Sequence, residues 1–201
     1  LQLKYCKKIF MKIICLTGGI GSGKTTLLNW FRKKGFPCFE SDSVGRRLLD
    51  SSLRKLVIKK FGADVYIDGK LNRKYLAKKV FKDEKSLNDL NKIVHPAVME
   101  SFEKFKLKNI NAPFIIKETA ILFETQGYKK CDTVILITSS QKERIRRIII
   151  RDGIKRSEVL ERMKNQISEA KKRELADFVV ENINLEDVYF QAETIIKKLK
   201  E

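Results

Sequence analysis

The sequence predicts an α/β fold: a mostly parallel sheet covered by helices on both faces, with a helical insert at one edge. Three observations carry this. Short apolar runs alternate with longer amphipathic stretches along the 201 residues, the pattern of strands joined by helical crossovers. The runs MKIICLT, APFIIKET and CDTVILIT are apolar on both faces, as strands buried from both sides must be. Residues 43–108 hold no comparable run and read as helices outside the sheet.

The elements follow in order. LQLKYCKKIF is basic, and its apolar part is too short for a secretory signal. Met11 reads as a native start with residues 1–10 an upstream extension, or else those residues lengthen the first strand. MKIICLT is that strand, and TTLLNWFRKKG a helix closed by Gly35. PCFES is a second short strand. Residues 43–61 read as one helix, with Val44, Leu48, Leu49, Leu53, Leu56 and Val57 at helical spacing. FGADVYIDGKLN is a loop with an Asp-Gly turn. Residues 73–108 return to helix, interrupted at His95-Pro96 because the residue before proline avoids the α region. APFIIKET and CDTVILIT are buried strands. QKERIRRIIIRD starts a helix that SEVLERMKNQISEAKKRELA continues; ADFVVEN is the last strand and LEDVYFQAETIIKKLK the closing helix.

Composition narrows the function. With 43% hydrophobic and 34% charged residues, this is a globular composition, and no apolar stretch approaches the roughly 20 residues that span a bilayer. Cys6, Cys15, Cys38 and Cys131 form no CxxC pair, which argues against a zinc site or a disulfide framework. Cys15 and Cys131 sit in or beside apolar runs and read as small hydrophobes, so a reducing cytoplasm is expected. The net charge of +18 points to anionic partners. Basic and aromatic residues do not interleave as in base-stacking surfaces. Small phosphorylated molecules are therefore favoured over nucleic acid, and a lysine-rich proteome is the plainer explanation of the charge.

GGIGSGKT, 18–25, joins the first strand to the first helix. Gly18-x-x-x-x-Gly23-Lys24-Thr25 satisfies the phosphate-loop pattern in the required strand–loop–helix context. Glycines let successive N–H groups turn inward on an anion, and the helix beginning near Lys24 aims its positive end there. Lys24 reaches the β- and γ-phosphates and the Thr25 hydroxyl suits Mg²⁺. No NKxD-like base-reading segment is present, so ATP is expected rather than GTP. Asp42 follows the short strand PCFES, where the carboxyl ends of parallel strands line a ligand crevice. It reads equally as a general base or as part of a helix start in which Asp42 or Ser43 is the N-cap. Arg147 and Arg151 lie one helical turn apart. They suit a lid that neutralises transferring phosphates, or form a solvated basic face.

Together these segments resemble the dephospho-coenzyme A kinase family from about residue 12 onward. LTGGIGSGKTT looks like the family's LTGGIGSGKST, and ESDSVGR like its DAD-x-[IV]-x-R, with Asp42 and Arg46 at the second acid and the arginine. Leu87 to His95-Pro96 matches its leucine-rich helix ending in LHP, and AILFE its PLLFE. RIRRIIIRD with RMKNQ matches its R-x-x-x-R-D and R-x-x-x-Q lid, and ADFVVEN its AD-x-V-I-x-N. Glu40-Ser41 in place of Asp-Ala, Ala120 in place of proline, and Val94 before His95 are departures.

The resemblance implies ATP-dependent phosphorylation of the ribose 3′-hydroxyl of dephospho-coenzyme A, with Mg²⁺. Its architecture would be a phosphate-loop core over 1–42 and 111–201, with a lid at about 148–175 and a helical acceptor-binding insert over 43–110. Gly19, Ile20, Gly21, Ser22, Gly23, Lys24, Thr25 and Thr26 would hold the nucleotide with Arg147 and Asn182. Asp42 would be the general base, with Lys24, Arg147 and Arg151 serving the ATP side of the transfer. Arg46 would bind the acceptor, while Phe123 and Glu124 would mark the acceptor or nucleotide floor. His95 would line the acceptor cleft or pack a helix end, and Glu118 would hold Mg²⁺ through water or be surface charge.

Overall fold

The computed structural model describes residues 11–80 and 83–201. The readings of residues 1–10 fall outside the described residues. The chain divides into two compact units, one of residues up to Phe39 with Asn109–Glu201, the other Glu40–Lys108.

The first unit holds a five-stranded sheet of order β2-β5-β1-β6-β7. Its strands are β1 (Lys12–Thr17), β2 (Cys38–Glu40), β5 (Phe114–Glu118), β6 (Thr133–Thr138) and β7 (Phe178–Glu181). The β1–β5, β1–β6 and β6–β7 pairs run parallel. Alternation along β1 and β6 explains why their sequences are apolar throughout. Ile14, Leu16, Ile135 and Ile137 pack with Leu27, Leu28 and Phe31 of α1 (Lys24–Lys33) and Val188, Ala192 and Ile195 of α9 (Leu185–Lys200). Cys15, Val134 and Leu136 face the other way, onto Leu122 and Phe123. Helices α6 (Gln141–Asp152), α7 (Arg156–Lys164) and α8 (Glu169–Leu175) follow β6. One continuous helix was expected there. Gly153, at φ 64°, ends α6 in the left-handed conformation instead.

Cys15 and Cys131 form a disulfide, with Cα atoms 5.9 Å apart. This corrects the expectation of two free hydrophobic thiols, and removes them from the argument for a reducing compartment. The pairing was hidden because 116 positions separate the two in sequence. The parallel register Ile14↔Thr133 and Cys15↔Val134 brings them together. Among the described residues Cys38 lies outside a disulfide, its thiol 3.3 Å from the Phe36 carbonyl.

The second unit has its own core of Leu53, Val57, Phe61, Val65, Tyr66, Leu71, Leu76 and Val80. Three expectations change here. The single helix over 43–61 is two, α2 (Ser41–Asp50) and α3 (Arg54–Phe61), broken at 51–53. The loop after it contains a short antiparallel pair, β3 (Tyr66–Ile67) and β4 (Lys70–Leu71). Between them Asp68 and Gly69 take φ of 47° and 78°, the left-handed pair of a tight hairpin turn. After α4 (Arg73–Val80), helix α5 (Glu84–Lys108) runs unbroken through Pro96. An internal proline costs a helix about 3 kcal/mol. Leu87, Leu90, Ile93, Val94 and Ala97 pack against the unit's core on both sides of it, and that burial offsets the loss. Among the described residues no helix is long and apolar enough to cross a membrane.

Candidate active site

The chain leaves β1 at Thr17, on the carboxyl edge of the sheet, and turns through Gly18–Gly23 into α1. Gly21 and Gly23 hold φ of 79° and 105°, left-handed backbone that a side chain would strain. A Cβ on Gly18 would strike the Ile137 carbonyl, and one on Gly19 the Arg144 guanidinium. Gly23 occupies the N-cap of α1; no side chain caps this helix and no acid stands in its first turn. Its leading N–H groups and positive dipole end are thus arranged for an external anion. Lys24 Nζ donates to the carbonyls of Gly18, at 2.8 Å, and Gly19, at 3.4 Å. Thr25 is exposed, Ile20 and Thr26 are half-buried, and Ser22 is fully buried with no hydrogen bond to its hydroxyl.

Three side chains from distant segments hold the loop's backbone. Asn182 Nδ2 donates to the Ser22 carbonyl at 2.8 Å. Arg144 Nε donates to the Ile20 carbonyl at 2.9 Å, and Gln166 Oε1 accepts from the Ile20 N–H at 3.0 Å. Asn182 belongs to the expected set, whereas Arg144 and Gln166 do not. A signal existed for each. Arg144 lies one turn before Ile148 and beside Ile145, on the buried face of α6. Gln166 closes the R-x-x-x-Q motif.

Beside the loop is a cavity of about 780 Å³, lined by Thr138, Ser140, Arg144, Gln166, Lys172 and Asn182 among others. Arg144 is 8% exposed, and its Nη1 lies 3.3 Å from Glu169 Oε2. Burial pushes its pKa down and Glu169 opposes the shift. Lys172 is 3% exposed. Burial pushes its ammonium below the usual lysine range, while Glu124 and Glu169 pull it back.

The expected lid arginines do not line this cavity. Arg147 Nε donates to Glu143 at 2.9 Å, and Arg151 binds Asp152 through two bonds of 2.7 and 3.0 Å. Glu143 also accepts two bonds from Arg146. Chiefly through Arg146, and further through Arg147, its carboxyl is held down to about 2 against the opposing effect of desolvation. Glu118 is buried at the carboxyl end of β5, in register with Leu16. Phe123, 5% exposed, packs in the apolar layer with Cys15, its ring 5.8 Å from that of Tyr128. Glu124 Oε1 accepts from the Ile167 N–H at 3.2 Å, and its Oε2 is buried without a hydrogen-bond partner.

Asp42, Arg46 and His95 belong to the second unit. Asp42 and Arg46 are exposed and four residues apart on α2, and so share a face. The N-cap of α2 is Glu40 rather than Asp42 or Ser43, and no side-chain cap is formed. This removes the capping alternative for Asp42. His95 is exposed on α5. The two helices approach where Gly45 faces Val94 and Val98, a Cβ on that glycine meeting them at 3.5 and 3.6 Å.

The model of the CoaE dephospho-CoA kinase family matches residues 12–187. The chain belongs to the dephospho-CoA kinase family. A dephospho-CoA kinase of Salinibacter ruber is 36% identical over 177 residues, covering 86% of this chain and 89% of the relative. One from Thermus thermophilus is 33% identical over 188 residues, covering 93% and 91%. A Thermus thermophilus crystal structure superposes with a TM-score of 0.87 at 31% identity, covering 94% of this chain and 97% of that one. A shikimate kinase from Bacteroides thetaiotaomicron shares the fold, with a TM-score of 0.56 at 14% identity over 95% of this chain and 99% of its own. The fold is thus that of phosphate-loop kinases. Membership of the dephospho-CoA kinase family makes the chain a kinase with ATP as its substrate.

Proposed function

We propose that this kinase transfers the terminal phosphoryl group of ATP to the ribose 3′-hydroxyl of dephospho-coenzyme A, giving coenzyme A. The observation that carries the reading is the uncapped N-terminus of α1 beneath a glycine loop bearing Lys24, in a chain of this family. Loop amides between Gly19 and Thr26 grip the triphosphate, those of Ile20 and Ser22 being taken by Gln166 and the Gly19 carbonyl, and Lys24 leaves its carbonyl partners to meet the β- and γ-phosphates. The adjoining cavity takes the nucleoside, with Asn182 at its edge. Arg147 and Arg151 exchange Glu143 and Asp152 for phosphate oxygens, a guanidinium–carboxylate swap of like geometry.

In the second unit Asp42 accepts the proton of the attacking hydroxyl, and Arg46 pairs with an acceptor phosphate. His95 on α5 extends the acceptor surface, and residues 40–108 form the acceptor-binding part. In the first unit Phe123 and Glu124 serve as the acceptor or nucleotide floor, Phe123 through its apolar packing and Glu124 by holding the Ile167 N–H. A Mg²⁺ ion fits the residues present. The Thr25 hydroxyl, exposed in the first turn of α1, and the Glu118 carboxylate at the end of β5 are oxygen donors of the kind Mg²⁺ takes beside phosphate oxygens. Thr25 supplies a hydroxyl and Glu118 a carboxylate through water. When bound, the ion neutralises charge on the transferring group.

The test is incubation with ATP and dephospho-coenzyme A, read by mass spectrometry. A gain of one phosphoryl group on the acceptor is expected. Turnover of a nucleoside monophosphate with dephospho-coenzyme A inert would contradict the proposal.

A further inference from the structure

We propose that Arg144 is a positioning residue for the phosphate loop, acting with Gln166 to fix both peptide planes that meet at Ile20. The inference rests on reading Gly18–Thr25 as the ATP site, and concerns how that loop is kept in shape.

A peptide unit is planar and trans, so its C=O and N–H point in opposite directions, and the described residues contain no cis bond. Arg144 Nε takes the Ile20 carbonyl at 2.9 Å. That turns the Gly21 N–H, at the other end of the same plane, away from Arg144. Gln166 Oε1 takes the Ile20 N–H at 3.0 Å, which turns the Gly19 carbonyl the opposite way. There it accepts the Ser22 N–H at 3.1 Å and Lys24 Nζ at 3.4 Å. Both backbone groups of Ile20 are therefore claimed by side chains, and its neighbours' groups are left to the loop interior.

Two steric facts make the arrangement specific. The guanidinium lies where a Gly19 side chain would be, and the Arg144 backbone lies against Gly21, 2.7 Å from an added Cβ. The arginine is itself anchored by Glu169, 3.3 Å away on α8. Gln166 and Glu169 belong to the segment from α7 to α8, and Arg144 to α6. Loop geometry is thereby tied to the helices that follow β6. Both side chains also border the cavity proposed for the nucleoside, but the positioning role acts through the main chain of Ile20.

The experiment compares Arg144→Met, Gln166→Leu and the double variant in the full chain. It measures equilibrium binding of a fluorescent ATP analogue without acceptor, KM for each substrate, and thermal melting. Each single change is expected to weaken nucleotide binding and raise the ATP KM about tenfold, the loss of one hydrogen bond to a charged or buried group. The KM for dephospho-coenzyme A should stay within about twofold. Because the two side chains hold one residue, the double variant should be little worse than the weaker single rather than multiply the losses. Unchanged ATP binding in folded single variants would overturn the proposal, as would equal rises in both KM values or fully multiplicative losses. If Arg144→Met does not fold, Gln166→Leu decides by the same split. Nucleotide binding is read without any acceptor, so an error in the acceptor's identity would leave this test intact.

Discussion

Asp42 shows what one carboxylate's surroundings say about its work. It stands in the first turn of α2, exposed, in a helix whose N-cap is Glu40 and whose start carries no side-chain cap. A carboxylate that caps a helix is worth about 1 kcal/mol; this one forms no such bond. We therefore expect Asp42→Asn to leave the melting temperature nearly unchanged and ATP binding intact. Phosphoryl transfer should fall roughly 10²-fold or more, the usual worth of a general base. Stopped-time assays with calorimetric melting check both halves, and near-normal turnover would remove the residue from catalysis. As a candidate Asp42 stood out in the sequence because its signal is local, an acid just past a short strand. Arg144 stood out less. The run RIRRIIIR offers three other arginines, and only the inward turn of α6 picks out the one that reaches Ile20. Lys172 is a similar case, its burial set beside Glu124 and Arg144, both distant in sequence.

At the level of elements, periodicity located strands β1, β5 and β6 well because each is apolar on both faces, a pattern with few alternatives. It failed where a local rule met a tertiary one. Pro96 signals a break, but apolar contacts on both sides carry α5 through it. The Asp68-Gly69 turn was seen, while the two-residue strands on either side were too short to announce themselves. The Cys15–Cys131 bond is also an element-scale feature, since it ties β1 to the segment entering β6. Closing so long a loop constrains the unfolded chain, typically by about 2–4 kcal/mol. Cys131→Ser, or reduction of the native protein, should lower the denaturant midpoint accordingly. The m-value should rise, because the unfolded chain without the cross-link exposes more surface, and chemical denaturation with and without reductant reads the difference. An unchanged midpoint would mean that the bond contributes nothing to stability.

For the molecule as a whole, the order β2-β5-β1-β6-β7 could not be read from spacing, because pairing between strands a hundred residues apart leaves no local trace. What the order does is place β1, which leads into the glycine loop, between β5 and β6, so that Arg144 and Asn182 reach the loop from the segments that follow β6 and β7. The net charge of +18 suits a protein whose substrates are both polyanions. All of the proposed chemistry depends on main-chain amides within residues 19–26, other than those of Ile20 and Ser22, closing on the triphosphate of ATP. Hydrogen–deuterium exchange of the native protein with and without Mg²⁺-ATP reads those amides directly. Exchange should slow in peptides covering 18–26, and the effect should be lost in Lys24→Ala. Nucleotide-dependent protection elsewhere in the chain, with those peptides exchanging as fast as before, would contradict the account.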